Sequence, residues 1–201
     1  MPSEFGWFPK TWIFPSDSYE LMNHMNEKKK PMTFIVKPTN SCQGKGIFLT
    51  RRIKDIPRDQ GCQVVQQYKS FPYLINKKKF DLRLYVFVTQ VTPELQAFLY
   101  KDGLARFATE DYNKQGAAGD DNLFMHLTNY AINKDSEKFQ ENEEDFKKTM
   151  TEVFEIITEN EGLEAVTKLK AEINDMLIKT LLIGWPHLDH NYKTCASKSS
   201  Y

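Results

Sequence analysis

Thr33-Phe-Ile-Val-Lys-Pro38 runs into Thr39-Asn-Ser-Cys-Gln-Gly-Lys-Gly46, and Ile47-Phe-Leu-Thr50 leaves it. An apolar strand ends in a lysine, a small polar loop with two glycines follows, and a second apolar strand departs. Gly44 and Gly46 let the backbone take positive φ and leave no Cβ between the loop amides and a ligand. Lys37 and Lys45 add positive charge at the two ends of the loop. Such a hairpin can lie over a polyphosphate with N–H and ammonium groups facing the anion. A plain turn beside a lysine is the other reading. The order of the parts excludes two nucleotide-binding classes. Protein kinases place the glycine loop before the strand lysine, and this chain has no His-Arg-Asp or Asp-Phe-Gly. The P-loop pattern G-x-x-x-x-G-K-[ST] is also absent.

Outward from this hairpin, the first half of the chain reads as sheet. Cys62–Tyr68 is a short strand ending in polar residues. Phe80–Thr89 alternates, with Phe80, Leu82, Leu84, Val86 and Val88 on one face and Asp81, Arg83, Tyr85 and Phe87 on the other. Leu95–Tyr100 and Leu104–Thr109 read as two strands split by a turn at Lys101-Asp102-Gly103. Gly116–Asn122 reads as a flexible loop. In the last third, Phe146, Met150, Val153, Phe154 and Ile157 fall at helical spacing until Asn160-Glu161-Gly162. The acidic run Glu141–Asp145 before them suits a helix N-terminus. Val166 to Leu181 predicts a second helix, stopping at Trp185-Pro186. No internal repeat is present, and strands followed by helices indicate an α+β protein.

Composition bounds the function. The 201 residues are 40% hydrophobic, enough for a packed core. Lys+Arg and Asp+Glu both total 27, so no global field attracts nucleic acid or an anionic membrane. There is no apolar run of membrane-spanning length and no signal-peptide pattern in Met1–Lys10. The expectation is therefore a cytoplasmic protein, without nucleic-acid partners and without membrane insertion. Cys42, Cys62 and Cys195 show no C-x-x-C spacing, which indicates neither a disulfide framework nor a zinc site.

Several polar groups sit where apolar ones would be expected. Asp81 and Arg83 share one face of an otherwise apolar strand, so each needs a partner or a ligand. A salt bridge to another strand is one solution and a bound nucleotide is the other. Lys79 ends the basic run Lys77–Lys79 and enters that strand. Gln66-Gln67-Tyr68 offers amides to an adenine edge, or merely ends a strand. Arg106 lies in an apolar strand and has the planar fork that holds a carboxylate, unless it simply faces solvent from an edge. His126-Leu-Thr-Asn-Tyr-Ala-Ile-Asn-Lys134 is a dense set of donors in which a lone histidine would usually be structural.

Taken in order, Val-Lys-Pro, Cys-Gln-Gly-Lys-Gly-Ile-Phe, Gln-Gln-Tyr, Lys-Phe-Asp-Leu-Arg-Leu-Tyr-Val, Gly-Leu-Ala-Arg-Phe-Ala-Thr and the His126–Lys134 run resemble the tubulin tyrosine ligase-like family. The match looks closest to the polyglutamylases and covers about Phe8 to Cys195. The resemblance implies an ATP-grasp fold in residues 1–195, with a glycine-loop lobe at 33–70 and an incomplete C-terminal lobe at 79–195. Residues 196–201 form a non-matching tail. It implies that Lys37 reaches the ATP phosphates and that Gln43 and Gly44 cover them. Gln66, Gln67, Tyr68 and Lys69 would form the adenine hinge, and Lys79, Phe80, Asp81, Thr128 and Asn129 would add nucleotide contacts. Arg83, Arg106 and Lys134 would be catalytic. Arg106, Tyr130 and Ala131 would hold free L-glutamate. The implied reaction phosphorylates a glutamate side chain on a tubulin C-terminal tail, and the amino group of free glutamate then attacks the acyl phosphate. Tubulin and microtubules would be the partners, at the cytoskeleton, in a cilium or basal body.

The family's Mg2+ ligands follow this region, as an aspartate and then a Glu-x-Asn on a strand. Here His190–Cys195 matches the lead-in and Ala-Ser-Lys-Ser-Ser-Tyr follows. The expectation is thus a truncated domain with no metal ligands, weakened in phosphoryl transfer. Glu172-Ile173-Asn174 lies in a helical pattern, where residues two apart diverge, and is not a substitute. Lys45 stands where relatives often have Arg, and Ala131 where many have Ser. A non-catalytic module binding tubulin tails or nucleotide is the alternative. Its basic segments Lys28–Lys30, Arg51-Arg52-Lys54 and Lys77–Lys79 could meet acidic tails, or lie in solvated turns.

Overall fold

The structure is a computed structural model, and it describes residues 2–27, 32–113, 122–134, 136, 139–140 and 146–195. The expected loop at 116–121, the acidic run Glu141–Asp145, the basic run Lys28–Lys30 and the tail 196–201 lie outside the described residues. By compactness the chain divides into one unit of Met1–Asp81 with Arg106–Lys147, and another of Leu82–Ala105 with Lys148–Tyr201. Neither unit is continuous in sequence, since the chain leaves the first after Asp81 and returns to it at Arg106.

The first unit holds an antiparallel sheet of β1 (Thr11–Phe14), β2 (Phe34–Pro38), β3 (Phe48–Thr50) and β4 (Gln63–Gln67), in the order β1-β4-β2-β3. The glycine hairpin is formed as expected, pairing Phe34 with Thr50 and Val36 with Phe48. β2 is central and therefore buried on both faces. Phe34 and Val36 pack with Trp12, Phe14, Leu21, Ile56 and Val65. Ile35 turns the other way, to Tyr68, Tyr112 and Leu127. Lys37 follows Ile35 by two and so shares its face. A helix α1 (Ser18–Glu27) covers the Phe34 side with Leu21, which is fully buried. Burying each large side chain of this kind contributes about 1.5–3 kcal/mol.

A second sheet has the order β5-β6-β7-β8, comprising β5 (Leu74–Ile75), β6 (Lys78–Gln90), β7 (Gln96–Phe107) and β8 (Lys147–Thr149). Asn76 and Lys77 link β5 to β6 with φ of 49° and 61°, the double left-handed geometry of a type I′ turn. That turn sets Leu74 opposite Lys79, which brings Lys79 into the sheet. The alternation expected along β6 is present, with Arg83, Tyr85 and Phe87 exposed and their neighbours less so.

Three elements differ from the sequence reading, among them the start of the helix expected from Phe146. Lys101-Asp102-Gly103 is not a turn: β7 is continuous from Gln96 to Phe107. Gly103 is needed for a close approach, since a Cβ there would lie 2.5 Å from the Arg83 carbonyl oxygen. Asp102 caps instead of turning, accepting the Gly103 and Thr151 N–H groups at 2.8 and 3.1 Å. Two further helices follow a short α2 (Tyr130–Asn133), namely α3 (Met150–Glu161) and α4 (Leu163–Cys195). α4 does not stop at Trp185-Pro186 but continues through the proline for 33 residues in all. Contacts on both sides of Pro186 hold it: the Trp185 indole donates to the Val91 carbonyl at 2.8 Å, and Thr92 bonds Asp189.

α3 ends where Asn160-Glu161-Gly162 breaks the helical spacing, but it begins at Met150 rather than at Phe146, because Lys147–Thr149 form strand β8. Thr149 and Glu152 form a reciprocal capping box, and Gly162 ends the helix at φ 88°. Met150, Val153, Phe154 and Ile157 are its buried face. Glu172 and Asn174 are both within α4, as their helical context required. No helix among the described residues is long and apolar enough to cross a membrane. Cys42, Cys62 and Cys195 are free and exposed.

Candidate functional site

The Lys37 face of the first sheet carries a cluster of half-buried charge. Lys37 Nζ donates to Gln66 Oε1 at 2.9 Å, and Gln66 Nε2 donates to Thr11 Oγ1 at 2.8 Å. Strand alternation turns Gln67 away from this pair, and its amide meets Met32 instead. The amide nitrogens of Gln67 and Tyr68 are already bonded to Lys10 O and Thr33 O at 2.8 and 2.9 Å. Of the expected hinge, therefore, Gln66 and the Tyr68 side chain belong to the cluster, Gln67 fastens the sheet, and Lys69 is exposed.

Lys79 reaches the same region from β6. Its ammonium donates to the Tyr68 hydroxyl at 3.1 Å and to the His126 carbonyl at 2.8 Å, and it lies 4.8 Å above the Tyr68 ring. Burial lowers its pKa from the ordinary 10.5 to about 8; Asp81 pulls the other way, and the positive charge of Lys37 depresses it further. Burial also lowers Lys37. Burial disfavours the charged form of both lysines, an arrangement that an anion placed between them would relieve. Tyr68 is 8% exposed, and burial, followed by its contact with Tyr112, raises its phenol well above the usual range. It stays neutral and bonds His126 Nδ1 at 3.0 Å. His126 is thus a structural residue whose backbone carbonyl holds a site lysine.

Asp81 finds its partner on the neighbouring strand. Arg106 grips it with both ends of the guanidinium, Nε to Oδ1 at 2.9 Å and Nη2 to Oδ2 at 2.5 Å. The Arg106 side chain is only 17% exposed. It comes from an interior strand, so the edge-strand alternative does not apply. Phe80 stacks on Phe107 at 5.4 Å and is core packing. Arg83 lies in the other unit, in the exposed row of β6.

The glycine loop stands against the His126–Lys134 segment. Gln43, Gly44 and Gly46 have φ of 60°, 87° and 72°, and a Cβ on Gly44 would come within 2.4 Å of Ile132 Cδ1 and 3.4 Å of Asn129 Cγ. Asn129 stands at the N-cap position of α2 without a capping hydrogen bond from its side chain, and Thr128 is 9% exposed. Tyr130 is half exposed, edge-on to Phe139 and 5.2 Å beneath Lys147 Nζ. Ala131 follows Tyr130 on α2, and Lys134 is exposed at its far end.

Asn133 was not singled out from the sequence, although it fastens this segment. It is 1% exposed, accepts from Thr109 Oγ1 at 2.9 Å, and donates to Leu127 O and Asn129 O at 2.8 and 3.0 Å. Its signal was an amide three residues after an exposed tyrosine on a short helix, too little to read without the fold. Among the described residues no three His, Cys, Asp or Glu side chains gather where a metal ion could sit.

The sequence matches the profile of the tubulin-tyrosine ligase family over residues 1–200. The chain belongs to this family. Among this family member's relatives, human tubulin polyglutamylase TTLL6 is 41% identical over 194 residues, which is 96% of this chain and 21% of that protein. A probable beta-tubulin polyglutamylase of Tetrahymena thermophila is 42% identical over 96% of this chain and 16% of its own length. Mouse tubulin polyglutamylase TTLL7 is 40% identical over 96% of this chain and 22% of its own. The family member described here spans about a fifth of the length of these relatives.

Proposed function

We propose that this chain is part of an ATP-dependent ligase that adds glutamate to glutamate side chains of tubulin tails, acting at the cytoskeleton. The observation that carries the reading is the pair of half-buried lysines, Lys37 and Lys79, both with lowered pKa values, in the unit that also holds the glycine loop. The relatives' names supply the substrate.

In this reading the fold is an ATP-grasp fold. Lys37 and Lys79 bind the ATP phosphates, and the bound anion offsets the repulsion between the two ammonium groups. The loop at Gln43–Gly44 covers the phosphates, held at its distance by Asn129. Both reactants are then kept in line: a carboxylate oxygen of the acceptor attacks the γ-phosphorus, the bond to the β–γ bridging oxygen breaks, ADP leaves and an acyl phosphate is formed. The amino group of free glutamate attacks that carbonyl carbon, phosphate leaves, and an isopeptide bond remains. Asp81 positions the Arg106 fork, whose exposed edge holds the carboxylate of the incoming glutamate beside Tyr130 and Ala131.

The test is binding of a fluorescent ATP analogue to the 201-residue chain, with Lys37→Ala and Lys79→Ala as variants, followed by incorporation of labelled glutamate into tubulin. Loss of nucleotide affinity by about tenfold or more in each variant, the equivalent of roughly 1.4 kcal/mol, is the expected result. Unchanged affinity in both would remove the lysine pair from the site. Nucleotide binding without incorporation would leave the alternative of a non-catalytic nucleotide-binding module.

A further inference from the structure

The motif Arg51-Arg52-Lys54 is not used by the lysine site, yet the structure gives it a setting. On the opposite face of the first sheet from Lys37 lies a cavity of about 360 Å³ between α1 and the turn that follows β3. Its apolar lining is Met22, Met25, Met32, Phe34 and Ile53. Met22 and Met25 are three apart on α1 and so share a helix face. Met22 is 40% exposed while Phe34 at the floor is 1% exposed, so the cavity deepens from an open rim to the core. Thioether side chains repack around irregular apolar shapes better than branched ones do.

Arg51, Arg52 and Lys54 also line it. The turn that carries them is fixed rather than floppy. The Arg52 N–H donates to Thr50 Oγ1 at 3.0 Å, the Thr50 hydroxyl donates to Asp55 at 2.7 Å, and Arg52 Nε donates to the same carboxylate at 2.9 Å. Arg51 Nε is steadied by Thr33 Oγ1 at 3.3 Å. Three cations against the single carboxylate of Asp55 leave a positive mouth over an apolar floor, in a chain whose formal net charge is zero.

The geometry points to a binding site for an acidic peptide that places one bulky apolar side chain in the Met-lined cavity and its flanking carboxylates on Arg51 and Lys54. The occupant is the acidic acceptor tail; that identity rests on the proposed function, whereas the chemistry of the cavity does not. Charge complementarity argues for a peptide carboxylate, and the apolar floor for an aliphatic or aromatic side chain between the acids. A nucleic acid would call for a row of cations following its backbone and for exposed rings that stack on bases. The cavity supplies neither.

The experiment is fluorescence anisotropy with a fluorescein-labelled glutamate decapeptide carrying one central phenylalanine, on the full chain. Arg51→Glu combined with Lys54→Glu should weaken binding at least tenfold. Met22→Glu, at a half-open rim position that tolerates a polar group, should do the same. Alanine in place of the peptide's phenylalanine should cost about fivefold. Lys37→Ala should leave peptide affinity within twofold, and the charge-reversed protein should still bind an ATP analogue, showing that it is folded. Peptide affinity unchanged by charge reversal or by Met22→Glu would overturn the proposal, as would equal binding of the alanine peptide. Loss of peptide binding in Lys37→Ala would also overturn it, by moving the peptide to the lysine site. Tighter binding to phosphatidylserine vesicles than to the peptide would overturn it in favour of a membrane surface. Peptide binding that follows the expected pattern while tubulin incorporates no glutamate would uphold the cavity and reject the proposed function alone.

Discussion

Lys79 shows how one residue's surroundings set its chemistry. Burial holds its pKa near 8, below the ordinary 10.5. Below about pH 8 the lysine is protonated in folded and unfolded chains alike, and the folded protein carries the whole cost of the buried charge. Between about 8 and 10.5 the folded chain gives up the proton first, so this group makes stability rise with pH through that window. An anion bound beside it reverses the preference, raising the pKa and taking up a proton above pH 8. Affinity for an ATP analogue should therefore be flat from pH 6.5 to 7.5 and fall by up to about tenfold per unit above 8. Titrations at pH 7, 8 and 9 check this, and Lys79→Met should flatten the profile. Asn133 makes a second case. Asn133→Ala leaves Thr109 and two backbone carbonyls without their buried partner, which should cost about 2–4 kcal/mol by urea unfolding. A loss under 1 kcal/mol would mean that water replaces the amide.

At the scale of elements, glycine means different things in different strands and loops. Gly44 is a glycine of conformation, with φ at 87°, and its role could be read from the loop's composition. Gly103 is a glycine of proximity: it lies in extended β7 because the neighbouring strand's carbonyl leaves no room for a methyl group. Sequence offers no sign of which kind a glycine is, which is why Lys101-Asp102-Gly103 reads as a turn. Gly103→Ala should force β7 away from Arg83 and lower stability by about 1–3 kcal/mol, the cost of overpacking. A thermal midpoint within 1 °C of the parent protein would show that the strands part freely. The Pro186 reading fails for a related reason. A proline's local cost in a helix, about 3 kcal/mol, is a property of the segment, whereas the Trp185 and Asp189 contacts that hold α4 beyond it come from residues more than 90 positions away.

At the scale of the whole molecule, the two units differ in how fully they cover their apolar residues. The first buries β2 on both faces. In the second, Tyr85 and Phe87 on β6 are 56% and 69% exposed, and Phe98 and Tyr100 on β7 are 60% and 56% exposed. Ile178, Leu182 and Ile183 of α4 are also more than half exposed. Exposed apolar surface of this extent drives association. The isolated chain should bind an apolar dye and self-associate at micromolar concentration, and Phe87→Ser with Phe98→Ser should reduce both without lowering the thermal midpoint. Sedimentation and dye fluorescence test this; a monomer with no dye binding would contradict it.

The sequence by itself determined the α+β class, the glycine hairpin, the face pattern of β6, the end of α3 at Gly162 and the family, because each is written in residues close together in the chain. Alternation, caps and ordered motifs are local signals. Only the tertiary structure decided that Asp81 spends its charge on Arg106, that Tyr68 and His126 serve Lys79, that Asn133 fastens the loop beside Gly44, and that Arg51 and Lys54 overlook a methionine-lined cavity. Those outcomes depend on which distant groups meet in a space too poor in water to leave a charge or an amide unpartnered.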